Sequence, residues 1–107
     1  MTTPDDAELF HITTKAAWDA AVATGAYVAP SLATEGFIHL SLARQWPATL
    51  RRFFRGQRGL VLLTIAPQRL DCPVRHEPAD GDHFPHLYGP LPVSAVVKVT
   101  DLPPVEE

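Results

Sequence analysis

The chain is nearly without sulfur: Cys72 is its single cysteine and Met1 its single methionine. One cysteine forms no internal disulfide and cannot build a multi-cysteine zinc or iron–sulfur centre. Long apolar runs are missing too, and nothing approaches the ~20 residues a membrane helix requires. Met1 to Glu8 is polar and acidic, without the basic start and apolar run of a signal peptide. The expected compartment is therefore the cytoplasm, with no membrane as partner. No Walker-type phosphate loop, Rossmann glycine fingerprint or H-E-x-x-H zinc helix is present, and no G-x-S-x-G nucleophile elbow. Acidic residues are absent between Glu35 and Asp71, where Arg44, Arg51, Arg52, Arg55, Arg58 and Arg69 all fall.

A net charge of −3 speaks against general nucleic-acid binding. The arginine stretch is either a solvated face balanced by acidic termini or a local positive field suited to a phosphorylated ligand. With 46% hydrophobic and 20% charged residues, the composition is that of an ordinary globular protein. A length of 107 residues suits one core and not two. One folding unit is expected over 1–107, with an ordered core from about 9 to 102.

Leu9 to Ile12 reads as a first strand. Thr13 or Thr14 caps a helix to about Thr24, ended by Gly25, with Trp18, Ala21 and Val22 as its apolar stripe. Tyr27 to Ala29 is a short extended piece, and Pro30-Ser31 opens a turn or a single helical turn. Gly36 to Leu40 reads as the second main strand. Pro47 sits near the first turn of a helix ending at Arg55, before Gly56. Its buried stripe is Trp46, Leu50, Phe53 and Phe54, and Arg51, Arg55 and Arg58 lie on its wet side.

Leu60 to Ile65 is the best central strand. Val74 to Glu77 is a shorter one, Asp80-Gly81-Asp82 a loop, Phe84 to Tyr88 extended, and Gly89-Pro90 a turn before a closing strand from Ala95 to Thr100. Strands crowd into the second half, which favours an α+β fold over regular βα alternation.

Of the five histidines, two are placed by strand alternation. Phe37, His39 and Ser41 share one face while Ile38 and Leu40 share the other; by the same logic His11 and Leu9 oppose Phe10 and Ile12. Two strands then each offer a histidine to one face of a sheet. Histidine is the usual acid, base or metal ligand near neutral pH, and otherwise a hydrogen-bonded packing residue. His76 and His83 border Pro- and Asp-rich turns and belong to the surface. Phe84-Pro85-His86-Leu87-Tyr88-Gly89-Pro90 is a second cluster, in which two prolines and a glycine hold His86 and Tyr88 in place. Glu77 is the leading carboxylate candidate and Glu35 the next, although parity puts Glu77 with Arg75, as a surface pair would be. Three histidines are the number a catalytic zinc needs, but no short-spaced pair supports a metal, and none is expected.

Several segments come in an order that resembles a known family: Phe10-His11-Ile12-Thr13, Trp18, Gly25, Tyr27, Ser31-Leu32, Glu35-Gly36-Phe37-Ile38-His39, Gln45, Arg52-Phe53-Phe54 and Phe84-Pro85-His86-Leu87-Tyr88-Gly89-Pro90-Leu91. They look like the small bacterial family called domain of unknown function 952, from Leu9 to about Val99. The resemblance implies a fold similar to the ADP-ribosyltransferases, including the tRNA 2′-phosphotransferases: a split, mixed, largely antiparallel sheet flanked by two main helices, with NAD bound in its cleft.

Carried over by position, the resemblance puts His11 on the NAD and His39 with Ser41 beneath the nicotinamide ribose. Glu77 or His86 takes the third, electrostatic role. His39, Glu77 and His86 are thus the catalytic candidates, and His11, Ser41, Tyr88, Arg51 and Arg55 the ligand-binding ones. The late glutamate lies in no recognisable motif. The expected partner is a nucleotide-like small molecule, with NAD as the cofactor. The alternatives are a non-catalytic module for a nucleotide or modified nucleic-acid end, and a histidine-ligated metal hydrolase.

Overall fold

In the computed structural model, residues 8–79 and 81–105 are described. Strand β1 (Leu9–Thr14) leads into helix α1 (Lys15–Thr24). The Thr14 hydroxyl caps α1 by accepting from the Ala17 N–H at 3.0 Å, and Gly25 ends it in the left-handed region at φ 95°, where only glycine sits without strain. Of the two threonines considered, Thr14 is the cap. Ala17, Trp18 and Ala21 pack on the core, whereas Val22 is 53% exposed; the short helix is turned so that its contact row runs one residue earlier.

A two-residue strand β2 (Ala26–Tyr27) precedes a second helix, α2 (Pro30–Glu35). Gly36, at φ 87°, caps α2 by donating to Ser31 and Leu32 carbonyls. That role removes Gly36 from the expected second strand, which shrinks to β3 (Ile38–His39). Helix α3 runs Trp46–Phe53, ending before Arg55. Its buried row is Trp46, Leu50 and Phe54 at i, i+4 and i+8. Phe53 lies off that row and is 58% exposed, contrary to the expected stripe.

Strand β4 (Leu60–Ile65) is buried at every position. It pairs antiparallel with β1 on one side and with β8 (Val96–Asp101) on the other. Both faces of β4 are covered, which is why this central strand reads as a continuous apolar run. Ile12, Leu60 and Leu62 meet α3 through Leu50, while Leu9, Leu63 and Ile65 face the main core. A second sheet has the order β3-β6-β5, with β5 spanning Val74–Ala79 and β6 Asp82–Leu87. Asp82 therefore opens a strand instead of continuing the loop, and Asp80 lies outside the described residues. A third, small sheet joins β2 to β7 (Leu91–Pro92).

The architecture is a single-domain α+β fold with antiparallel sheets and three helices. Among the described residues every pair of strands is antiparallel, and the one parallel contact is an isolated bridge between Arg55 and Val105. The mixed sheet expected from the resemblance is corrected accordingly; the two main helices are α1 and α3, and the shorter α2 stands where Pro30-Ser31 is expected to open a turn or a single helical turn. The radius of gyration, 13.2 Å, is about that of one domain of this length. No helix among the described residues is long and apolar enough to cross a membrane.

Gly89 is buried against Cys72: a Cβ placed there would lie 2.8 Å from the Cys72 Cβ and closer still to its Sγ. Replacing it with alanine overpacks this corner, which holds the Tyr88–Pro90 turn. Gly89→Ala is expected to cost about 1–3 kcal/mol, read as a lowered urea midpoint, and Cys72→Ala in the same chain is expected to restore part of it. A midpoint unchanged by Gly89→Ala overturns this packing account.

Candidate functional site

A backbone bridge joins the first sheet to the chain just after β3 of the second. The Phe10 N–H donates to the Ser41 carbonyl at 2.8 Å and the Ser41 N–H to Phe10 at 2.7 Å. Beyond it the chain diverges, with residues 38 and 39 pairing to β6 instead. The gap between β1 and β3 opens into a cleft of about 670 Å³, within the usual range for small-molecule sites. Its walls are mostly apolar, from Ile12, Phe37, Leu40, Phe53, Phe54 and Phe84. His11, His39 and His86 also line it, as does Ser41. The two histidines first placed on one sheet thus come from two, His11 from β1 and His39 from β3.

His11 is held at both ring nitrogens. Its Nδ1 donates to the His39 carbonyl at 2.7 Å. A carbonyl only accepts, so in the neutral ring Nε2 is an acceptor, and the Tyr27 hydroxyl stands 2.9 Å away. The Tyr27 and Thr13 hydroxyls are 3.0 Å apart. Removal of the ring from water holds the His11 pKa down to about 4; the His39 ring acts in the same direction, and the bond to the His39 carbonyl offsets part of the shift. Burial likewise raises Tyr27 above the ordinary phenol value. His11 therefore ties the two sheets together across the cleft and has no nitrogen left for a ligand.

The open face of the β3-β6-β5 sheet carries the other candidates. Register pairs His39 with His86 and His86 with Arg75, so these side chains share a face; Ile38, Leu87 and Val74 point the other way, into the core. The His86 ring stacks on Phe37 with centroids 4.0 Å apart and 7° between planes. Its Nδ1 donates to Glu77 Oε1 at 3.0 Å, and the Tyr88 hydroxyl donates to the same oxygen. The bonds from Tyr88 and then His86 hold the Glu77 carboxyl below its ordinary range, and the bond to Glu77 raises Tyr88. Arg75 lies over the Tyr88 ring at 5.5 Å. Glu77 does share a face with Arg75, and that face is the one bearing His86.

His39 makes a parallel arrangement: its Nε2 donates to Glu35 Oε2 at 3.0 Å. The His39 and His86 rings meet edge to face, with centroids 5.3 Å apart. Two carboxylate-backed imidazoles therefore stand side by side. Each has one ring nitrogen committed to its glutamate, and with Nδ1 committed, His86 keeps Nε2 for the cleft. A glutamate that accepts from one ring nitrogen sets the tautomer and fixes the ring's orientation.

The positive charge lies elsewhere. Glu35 is the one formally charged side chain among the described lining residues. Arg51 and Arg55 are exposed on α3 and just after it, and neither lines the cleft. The arginines nearest in arrangement are Arg44 and Arg52, in an adjoining pocket of about 220 Å³ that shares Thr49, Phe53 and Phe84 with the cleft. Arg44 forms a two-pronged pair with Asp82 at 2.7 and 3.1 Å, which holds the Asp82 carboxyl well below its ordinary range. Among the described residues, no three His, Cys, Asp or Glu side chains are grouped to hold a metal ion.

Reading by residue type missed Phe37 and Tyr27. Alternation places Phe37 beside His39, but its stacking partner arrives from β6; Tyr27 reaches His11 across sixteen residues. A family model described as "Protein of unknown function (DUF952)" matches residues 12–99. The chain belongs to the DUF952 family. Among solved structures, this DUF952 protein is similar to the crystal structure of protein CC0527 from Caulobacter crescentus. The TM-score is 0.83 at 40% identity, covering 90% of this chain and 86% of that one. The solution NMR structure of CC0527 matches with TM-score 0.77 at 40% identity, over 89% and 84% of the two chains. No curated protein matches the chain.

Proposed function

We propose that this DUF952 protein binds a nucleotide-like ligand in the cleft between β1 and β3 and acts at its anomeric carbon, as an ADP-ribosyltransferase-like enzyme would. The observation that carries this reading is the pair of carboxylate-backed histidines in an apolar cleft that holds no arginine or lysine among its described lining residues. Negative charge fixed beside an apolar pocket favours a transition state that gains positive charge. An oxocarbenium-like centre is such a state, and phosphoryl transfer, which spreads negative charge over oxygens, is the opposite case. The aromatic walls suit a planar base or nicotinamide. The pyrophosphate of NAD or ADP-ribose finds no cation inside the cleft, and the nearest guanidinium groups are those of Arg52 and of the Asp82-paired Arg44 in the adjoining pocket. Ser41 lines the cleft beside His39 as a hydrogen-bonding group.

A second reading, a non-catalytic module for a nucleotide or nucleic-acid end, is favoured by the exposed arginines on and after α3, outside the cleft. Melting with and without millimolar NAD, ADP-ribose and a 2′-phosphorylated nucleotide tests the shared claim. A ligand at ~100 times its dissociation constant adds about 2.7 kcal/mol, and the shift is expected to vanish in His39→Ala. Absence of any shift with all three ligands, on folded protein, sinks both nucleotide readings.

A further inference from the structure

Resting on that reading of the ligand, we propose that the cleft hydrolyses a ribosyl bond to a neutral oxygen or nitrogen leaving group. His86 protonates the leaving atom and His39 takes a proton from the attacking water. The two imidazoles are chemically alike but differ in exposure, which assigns their parts. The His86 side chain is 9% exposed and stacked flat on Phe37, whereas His39 and its partner Glu35 are 53% and 49% exposed. The nucleophile is water and enters from solvent, so the ring at the mouth meets it. The leaving group sits against the enclosed ring.

The step balances. The bond between the anomeric carbon and the leaving atom breaks, and its electron pair stays on the leaving atom, which receives the proton from His86 Nε2. Water oxygen bonds to the same carbon and gives a proton to the His39 nitrogen that Glu35 does not hold. His39 ends protonated and His86 neutral, and exchange with solvent restores both. Glu77 and Tyr88 are positioning residues here: they hold His86 Nδ1, leaving Nε2 as the nitrogen that works. The titratable and charged groups facing this pair are Glu77 and Arg75 from β5, Tyr88 beyond β6, Glu35 from α2 and His11 from β1. The two glutamates stabilise an imidazolium and an oxocarbenium alike.

The leaving group follows from the same arrangement. Nicotinamide departs from NAD as a neutral base without taking a proton, so an enclosed donor at His86 would be idle there. An alkoxide, or a base that would otherwise leave as an anion, cannot depart well unless it is protonated. The geometry thus points to removal of a ribosyl group, in preference to its transfer from NAD.

The test uses ADP-ribose carrying either a p-nitrophenyl or a benzyl group on its anomeric oxygen; nitrophenoxide leaves unprotonated and benzyl alkoxide does not. Wild type is expected to hydrolyse both. His86→Gln is expected to lose about 100-fold or more on the benzyl compound, the usual share of a general acid, and to stay near wild type on the nitrophenyl one. Tyr88→Phe shows the same selectivity more weakly and serves if His86→Gln does not fold. His39→Gln, at an exposed position, is expected to slow both compounds alike. Equal loss on both substrates in a folded His86→Gln, or full activity in His39→Gln, overturns the assignment. Binding of ADP-ribose without hydrolysis of either compound overturns the hydrolase and leaves the ligand reading standing. Absence of any nucleotide-induced melting shift removes both.

Discussion

Between pH 6.5 and 4 the folded protein is expected to lose up to about 3 kcal/mol of stability, because the unfolded chain takes up a proton at His11 that the fold refuses. The His11 pKa is held at about 4 in the fold against an ordinary value near 6.5. In that window the unfolded chain binds the proton and the folded chain does not, so stability rises with pH. The contribution is complete above pH 6.5, declines on acidification and levels off below about 4. A shift of this size converts at 1.36 kcal/mol per unit, and the figure is an upper one because the ring borders the open cleft.

Glu77 and Asp82 have the opposite kind of pairing but the same sign. Their carboxyls are depressed in the fold, so their contribution is present above the ordinary carboxylate range and lost below it. Those losses begin where the His11 loss is ending, which separates the two. Urea midpoints from pH 7.5 to 4.5 for wild type and His11→Gln check this. The variant, which cannot titrate, is expected to show a much flatter profile at the cost of a lower midpoint at pH 7.5. Parallel profiles would mean that His11 does not carry the dependence.

Leu63→Ala is expected to cost about 2–5 kcal/mol, a large part of the 5–15 kcal/mol typical of a native domain. Leu63 is at 0% exposure on the central strand, where β4 is flanked by β1 and β8. Its register partners are His11 on β1 and Val99 on β8, so the cavity opens directly beneath the tie that spans the cleft. The surrounding strands are pinned by ladder hydrogen bonds and collapse little around the void, which keeps the cost near the upper half of the range. Val99, 41% exposed, provides the contrast: Val99→Ala is expected to change stability by about 0.5 kcal/mol or less. Equal effects at the two positions would contradict the placement of the core.

Much of the backbone was legible in the chain, and for local reasons. The α1 cap at Thr14 and its stop at Gly25 depend on groups within four residues of each other, and β4 reads from composition because both its faces are covered. The errors share a cause as well. Strand pattern shows only alternation and takes Gly36 into a strand, whereas its positive φ serves the end of α2. Spacing of i+3 resembles i+4 and takes Phe53 into the core, yet the rotation of α3 turns it to the cleft. The same rotation sets Arg52 in the adjoining pocket and leaves Arg51 outside, while Arg44, which precedes α3, is placed by its pair with Asp82.

The sequence by itself determined that Ile38 and Leu40 turn one way and His39 the other, that Arg75 and Glu77 share a side, and that β4 lies at the centre. Alternation and apolar continuity are properties of the covalent chain and need no partner to be read. Only the tertiary structure decided that His11 is spent on Tyr27 and the His39 carbonyl, that Glu77 belongs to His86, and that the arginines stand outside the cleft. Each of these depends on strands far apart in the chain meeting in one register, and a hydrogen bond between distant residues leaves no periodic trace in either segment.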